Sequence, residues 1–319
     1  MPVVRIATRG SPLARWQAGH VASLLRGVQP GVGVELVVVE TLGDRALDRP
    51  IWELGGQGVF VKEVQAAVLD GRADLAVHSA KDLPSDPSLA TPGLVIAAVP
   101  PRGDPRDALV GRRLADIPPG ARVATGSTRR RAQLADLRPD LTFTGLRGNI
   151  DTRLARAGEY GAILVAVAAL IRLGRQAAIA EVLAPSAMVP QVGQGALAVE
   201  CRTDDERIRR LVVGIEDPPS RRALDAERAF LACLGGGCEL PVGAYATEDA
   251  TADGARRLRL RAVLATLDGR LVLRDEVVAE PGCDPAQVGR ALGQRLLATG
   301  GGRMLLTDMG ALTLDGADR

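Results

Sequence analysis

Aromatic residues are nearly absent from this chain: Phe, Trp and Tyr together make up 2% of its 319 residues. Stacking platforms for single-stranded nucleic acid are therefore lacking. The formal net charge of +2 is also too small for a protein that neutralises a phosphate backbone. Histidine is as scarce, with only His20 and His78. The four cysteines, Cys201, Cys233, Cys238 and Cys283, show no CxxC spacing. Neither a zinc site nor a disulfide framework is expected from that set. No apolar run approaches the ~20 residues that cross a bilayer. The first residues, Met1 to Thr8, read directly as a strand, without the basic-then-apolar layout of a secretory signal. The expectation is a cytoplasmic protein with no metal, no nucleic-acid partner and no membrane partner.

Lysine is the last scarcity. Only Lys62 and Lys81 stand among the 40 basic residues, the rest being arginine. A GC-rich coding sequence accounts for most of that bias, so the placement of the arginines is informative and their number is not. Hydrophobic residues at 46% and charged residues at 24% are ordinary for a globular protein, and the length allows two or three domains with proper cores.

The first half alternates strand-like and helix-like runs. Val3 to Ala7 reads as a strand, and Ser11-Pro12 opens a helix to about Leu25 with an N-cap and a first-turn proline. Val34 to Val39 is β-branched. A glycine loop at Gly55-Gly56-Gln57-Gly58 precedes a helix from about Val59 to Gly71, and Leu75 to His78 is a short buried strand. This rhythm predicts a parallel or mixed sheet with helices on both faces. The proline-rich Val99 to Pro105 reads as a hinge, after which the pattern restarts. Arg122 to Ala124, Leu141 to Phe143 and Ala162 to Ala166 are strands, and Thr128 to Leu137 is a helix. Another helix follows Asn149. Pro190 to Gly195 looks like a second crossing, with Ala196 to Cys201 returning to the first sheet. Beyond a helix from Ser220 to about Leu234, two strands (Leu258 to Leu264 and Leu271 to Val278) join near Asp268-Gly269. A helix over Asp284 to Ala298 completes a small α+β unit. Three domains are expected: 1–99 with 196–215, then 103–192, then 219–319.

Several strand ends carry polar groups. Thr8-Arg9-Gly10-Ser11 ends one strand and opens a helix, and Thr125-Gly126-Ser127-Thr128-Arg129-Arg130-Arg131 repeats that layout. Helix N-termini favour anions, and arginine forks match carboxylates and phosphates. Arg147, Arg153 and Arg172 add further guanidiniums. Any single arginine is usually a solvated surface residue, but several at the strand ends of a two-lobed α/β protein suggest a cleft for a polyanion. Lys81-Asp82 follows a buried strand directly. A carboxylate there either stabilises a developing cation and moves a proton, or simply caps a turn before Pro84. Cys238 stands behind three glycines, Gly235-Gly236-Gly237. That backbone lets a bulky group approach the chain closely, although an unpaired cysteine is commonly a packing residue.

Taken together these segments resemble the porphobilinogen deaminase family. The carrying motifs are Ala7-Thr8-Arg9-Gly10-Ser11-Pro12-Leu13-Ala14, Gly58-Val59-Phe60-Val61-Lys62-Glu63 and Val77-His78-Ser79-Ala80-Lys81-Asp82-Leu83-Pro84. They continue through Asp104-Pro105-Arg106-Asp107-Ala108, Ser127-Thr128-Arg129-Arg130, Leu146-Arg147-Gly148-Asn149 and Val192-Gly193-Gln194-Gly195 to Gly236-Gly237-Cys238-Glu239-Leu240-Pro241-Val242-Gly243. They run in family order along nearly the whole chain.

The resemblance implies an α/β fold of two periplasmic-binding-protein-like domains with mixed sheets, plus a small α+β C-terminal domain. It implies that Cys238 carries a dipyrromethane cofactor through a thioether. Four porphobilinogen molecules would be added head to tail with loss of ammonia, and the linear tetrapyrrole hydroxymethylbilane released by hydrolysis. Asp82 matches the catalytic aspartate, which would hold pyrrole N–H groups and stabilise the azafulvene-like cation left when ammonia departs. Arg9, Arg129, Arg130, Arg147, Arg153 and Arg172 match positions that bind cofactor or substrate carboxylates. Ser11, Lys81, Thr125 and Ser127 match supporting contacts. The chemistry agrees: every pyrrole carries an acetate and a propionate, so the growing chain needs an arginine-rich cleft. A thioether also survives turnovers that would cleave a thioester. The family commonly has lysines where this chain has Glu53 and Gln57, so no anion-binding role is carried onto that loop. A monomer is the expectation.

Two other classes compete. A two-lobed anion-binding protein would share the architecture without the chemistry. A cysteine-nucleophile enzyme would need His20 or His78 beside Cys238, and neither stands in a Cys-His motif. The glycine-cysteine loop and the third domain argue against the first, and the missing motif against the second.

Overall fold

The computed structural model describes residues 3–41, 61–235, 240–250, 256–298 and 301–308. The loop with Glu53 and Gln57, the expected helix start at Val59, and Cys238 with its preceding glycines Gly236 and Gly237 lie outside the described residues.

The chain begins with β1 (Val3–Arg9), α1 (Pro12–Val28), β2 (Gly33–Val39), α2 (Lys62–Leu69), β3 (Leu75–Ser79) and β4 (Leu94–Ala98). Ser11 caps α1, its hydroxyl accepting from the Ala14 amide at 3.3 Å. Ala18, Val21, Ala22 and Leu25 then fall on one helical face and pack on Ile6, Leu75 and Val199. Fully burying an Ile6 or Leu25 side chain contributes about 1.5–3 kcal/mol.

The chain next crosses into β5 (Asp107–Val110), β6 (Arg122–Ala124), α3 (Thr128–Leu137), β7 (Thr142–Thr144), α4 (Ile150–Ala155), β8 (Ala162–Ala166), α5 (Val167–Arg172) and β9 (Ile179–Val182). It returns through β10 (Leu197–Arg202) and α6 (Glu206–Val213). The last elements are α7 (Pro218–Cys233), β11 (Val242–Ala250), β12 (Arg256–Ala265), β13 (Val272–Val278), α8 (Pro285–Ala298) and α9 (Gly302–Asp308).

Two five-stranded sheets have the same plan. The first runs β2-β1-β3-β10-β4 and the second β7-β6-β8-β5-β9. In each, three parallel strands are followed by one antiparallel strand, β10 or β5, and then an edge strand. That antiparallel strand is the one arriving from the other sheet, so the chain crosses twice. The expected mixed α/β class with a small third unit is what the chain adopts.

The third sheet has three antiparallel strands, β11-β12-β13, where the sequence pattern predicts two. The missing one, β11, is rich in small residues (Gly243, Ala244, Ala246) with weak strand preference. Nine residue pairs with β12 impose the strand. Tertiary packing explains the smallness, because a Cβ at position 243 would lie 2.7 Å from the Pro190 carbonyl oxygen.

The two crossings touch. The Gly103 amide donates to the Gly195 carbonyl at 3.0 Å. Gly195 has φ +85°, and a Cβ there would stand 2.4 Å from the Gly103 oxygen. Gly193 has φ +70°, with a Cβ 3.0 Å from the Lys81 amide. Arg102 and Glu227 then tie the crossings to α7. The guanidinium donates at 2.6 and 3.1 Å, and Glu227 also accepts from the amides of Gly193 and Ala246. Gly195→Ala is expected to cost about 2–4 kcal/mol of unfolding free energy, through strain at positive φ and the backbone clash. Urea unfolding measures it, and an unchanged midpoint would mean that the crossings need not touch.

Candidate active site

Parallel strands of both sheets end in the polar loops singled out from the sequence. At the end of β3, Ala80–Asp82 forms one turn of 3-10 helix. It is held to the returning crossing by the Ala80 amide on the Ala196 carbonyl, and Arg228 of α7 donates to the Pro84 carbonyl at 2.7 Å just beyond it. Asp82 faces a small cavity of about 30 Å³ with Arg9, Gln17, His78 and Ser79, walled by Val61, Val64 and Val77. His78 Nε2 lies 3.1 Å from Glu200, which also accepts from Gln65. His20 stacks on Trp16, ring centroids 5.1 Å apart.

At the end of β6, Ser127 caps α3 by accepting from the Arg130 amide, and Thr125 accepts from the Ser127 amide at 3.2 Å. This start aims Arg129 and Arg130 inward. Both are buried on Asp107, the fully buried first residue of β5. Arg129 Nη1 donates to Asp107 Oδ2 and to the Val189 carbonyl, each at 2.7 Å. Arg130 Nε donates to Asp107 Oδ1 at 2.8 Å, and its Nη1 to the Leu164 carbonyl. Burial pushes the Asp107 carboxyl up, but Arg129 and Arg130 outweigh it and hold the group well below the usual carboxylate range. Two donors of Arg129, Nε and Nη2, are buried without an acceptor among the described residues. Leaving such donors unmet is costly, so the site suits an incoming carboxylate.

Lys81 joins the same network through Gln194. Burial lowers its pKa from 10.5 to about 8, with Asp82 opposing and Arg130 adding to the shift. Arg153 donates to the Gly148 carbonyl at 2.8 Å. Burial, then Arg130 and Arg147, push its pKa down to about 10, so it remains a cation at neutral pH. Arg147 is exposed at the loop after β7. Arg172 stands apart from this group: it donates to the Gly195 carbonyl at 2.6 Å and lies over the Trp16 ring at 5.5 Å.

Thus Arg9 and Asp82 share one cavity, while Lys81, Arg129 and Arg130 share one buried network with Arg153 beside it. Ser11 and Ser127 serve as helix caps. The sequence assigns no role to Asp107, Gln133 or Gln194, though Asp107 and Gln194 stand in motifs that carry the family resemblance. Gln133 accepts from the Val189 amide and donates to its carbonyl, bracing the segment ahead of the returning crossing that Arg129 also binds. The signal that could have found Asp107 was an acid beside Arg106 after a proline run, which is an everyday pattern. Among the described residues no group of His, Cys, Asp and Glu could hold a metal ion. None of their helices is long and apolar enough to cross a membrane.

The family domain described as "Porphobilinogen deaminase, dipyromethane cofactor binding domain" matches residues 4–210, and "Porphobilinogen deaminase, C-terminal domain" matches residues 222–298. A porphobilinogen deaminase of Nitratidesulfovibrio vulgaris is 46% identical over 308 residues, covering 94% of this chain and 95% of that protein. One from a Roseiflexus species is 47% identical over 305 residues, covering 94% and 97%. Among solved structures, a TRAP periplasmic solute binding protein from Ralstonia eutropha is 16% identical with a TM-score of 0.38, covering 72% of this chain and 81% of that one.

Proposed function

This chain belongs to the porphobilinogen deaminase family, and from that premise we propose how its own residues divide the work. The enzyme joins four porphobilinogen molecules head to tail, losing one ammonia at each addition, and releases hydroxymethylbilane by hydrolysis for tetrapyrrole biosynthesis. The dipyrromethane cofactor, when bound, supplies the pyrrole carbon onto which units are joined. Cys238 is the proposed attachment point, and Arg129, Arg130, Arg147 and Arg153 are the proposed carboxylate ligands for cofactor and product. The orphaned buried donors of Arg129 fit that group, since each pyrrole brings two carboxylates.

Asp82 is the proposed catalytic residue. Its carboxylate accepts the substrate pyrrole N–H and faces the positive charge that develops as the C–N bond breaks. The same oxygen takes the proton displaced from the attacking carbon. Arg9 and Lys81 hold the substrate acetate and propionate, and Ser11, Thr125 and Ser127 fix the loops that carry them. Arg172 is assigned to carboxylates of the lengthening chain, near the crossings.

The observation that carries this proposal is one carboxylate, Asp82, facing a cavity beside a buried cationic network with unmet donors. Three domains are proposed with it, 1–99 with 196–215, 103–192 and 219–319; the pairing of β10 with β3 and β4 supports the first. A cytoplasmic monomer completes the proposal, with sedimentation as its check.

The test is intact mass under denaturing conditions. The expected protein is heavier than its sequence by two linked pyrrole units, and Cys238→Ala lacks that increment. If the chain stays unmodified after incubation with porphobilinogen and releases no ammonia, the proposed chemistry fails.

A further inference from the structure

Gln194 lies in the returning crossing, is fully buried, and has no part in the chemistry above. Every polar position of its side chain is used. The amide nitrogen donates to the Pro105 carbonyl at 2.7 Å and to Asp107 Oδ1 at 2.9 Å. The amide oxygen accepts from Lys81 Nζ and from Arg130 Nη2, both at 3.4 Å. Charge fixes this orientation, because a reversed amide would aim its donors at two cations and its oxygen at two acceptors. The shorter bonds fasten Gln194 to the first crossing and β5, and the longer ones reach across to the cations. Its place is set by the backbone, since Gly193 and Gly195 press the segment against the Lys81 turn and Gly103.

We infer that Gln194 is a positioning residue: its amide oxygen holds the Lys81 ammonium of the Asp82 turn against Arg130 of α3, so that cations from the two sheets present their remaining donors to one substrate carboxylate. The inference rests on the substrate-binding roles proposed above for Lys81 and Arg130. Without Gln194 the two cations lose the one side-chain oxygen that both are seen to share.

The chain has only two lysines, Lys62 and Lys81, so the holoenzyme labelled at lysine Cε gives two signals, assigned with Lys62→Arg. Lys81 is faced by Asp82 from its own turn, by Arg129 and Arg130 from α3 and by Asp107 from β5. Gln194→Met removes the acceptor and is expected to lower the Lys81 midpoint by about half a pH unit or more. Gln194→Glu adds a carboxylate and is expected to raise it. A merely structural residue would loosen the turn in both variants and move Lys81 upward toward 10.5 in both. That outcome overturns the inference, as does coincident titration in all three proteins. Turnover gives a second readout: Gln194→Met is expected to lose about tenfold in kcat/KM, mainly through KM. If the parent consumes no porphobilinogen the proposed function fails, while the lysine titration still decides the role of Gln194.

Discussion

Asp82→Asn is expected to lower kcat by about 10²–10³-fold while leaving KM within a few-fold of the parent. The amide keeps the shape of the carboxylate but neither its charge nor its ability to take a proton. The loss therefore falls on the step in which positive charge develops, because the arginines and Lys81 still hold the substrate carboxylates and the amide oxygen still accepts the pyrrole N–H. The fold is expected to survive. The Asp82 turn is held by the Ala80 amide on Ala196 and by Arg228 on the Pro84 carbonyl, and neither contact uses the carboxylate. Steady-state ammonia release, read beside an unchanged melting temperature, checks the prediction. Near-parental turnover would remove Asp82 from the catalytic role.

Asp107→Ala has the largest expected effect on stability, about 3–5 kcal/mol. Two guanidiniums converge on this fully buried carboxylate. Removing it leaves Arg129 and Arg130 buried, mutually repelling and short of an acceptor. Asp107→Asn is the more informative partner, because it keeps the volume and one acceptor while deleting the charge. The folded-state pKa of Asp107 is depressed, so its electrostatic contribution is complete above the unfolded value near ~3.9 and is lost as pH falls below it. The unfolding free energies of parent and Asp107→Asn should differ by a constant amount from about pH 8 to pH 5 and converge in stronger acid. Urea unfolding across that range tests it. A difference that stays constant below about pH 3 would mean that the ion pair contributes little.

The α1 cap and stripe, the short buried β3 and the returning β10 were all legible because each is a local pattern. A capping serine with a proline behind it, an i, i+4 apolar face and a compact run of apolar residues need no distant partner to be recognised. Asp82, Lys81 and the arginines were legible as candidates because they sit where strands end, and the family motifs attach expected roles to them. The strand β11 was not legible. Its small residues carry almost no strand signal, and the glycine at 243 answers to Pro190 and Val189, more than 50 residues earlier in the chain.

By itself, then, the sequence determined the elements with a strong local pattern, the α/β class, the family and the group of residues from which the site is drawn, because these depend on short-range periodicity, turn chemistry and motif order. Only the tertiary structure decided how those residues are used. It turned Arg129 and Arg130 inward onto Asp107, left two Arg129 donors unmet, and brought Lys81 within reach of Arg130 through Gln194. The physical reason is sequence separation. Asp107, Arg130 and Gln194 meet only because the chain crosses between its two sheets twice, and no local pattern records which buried charge will find which partner.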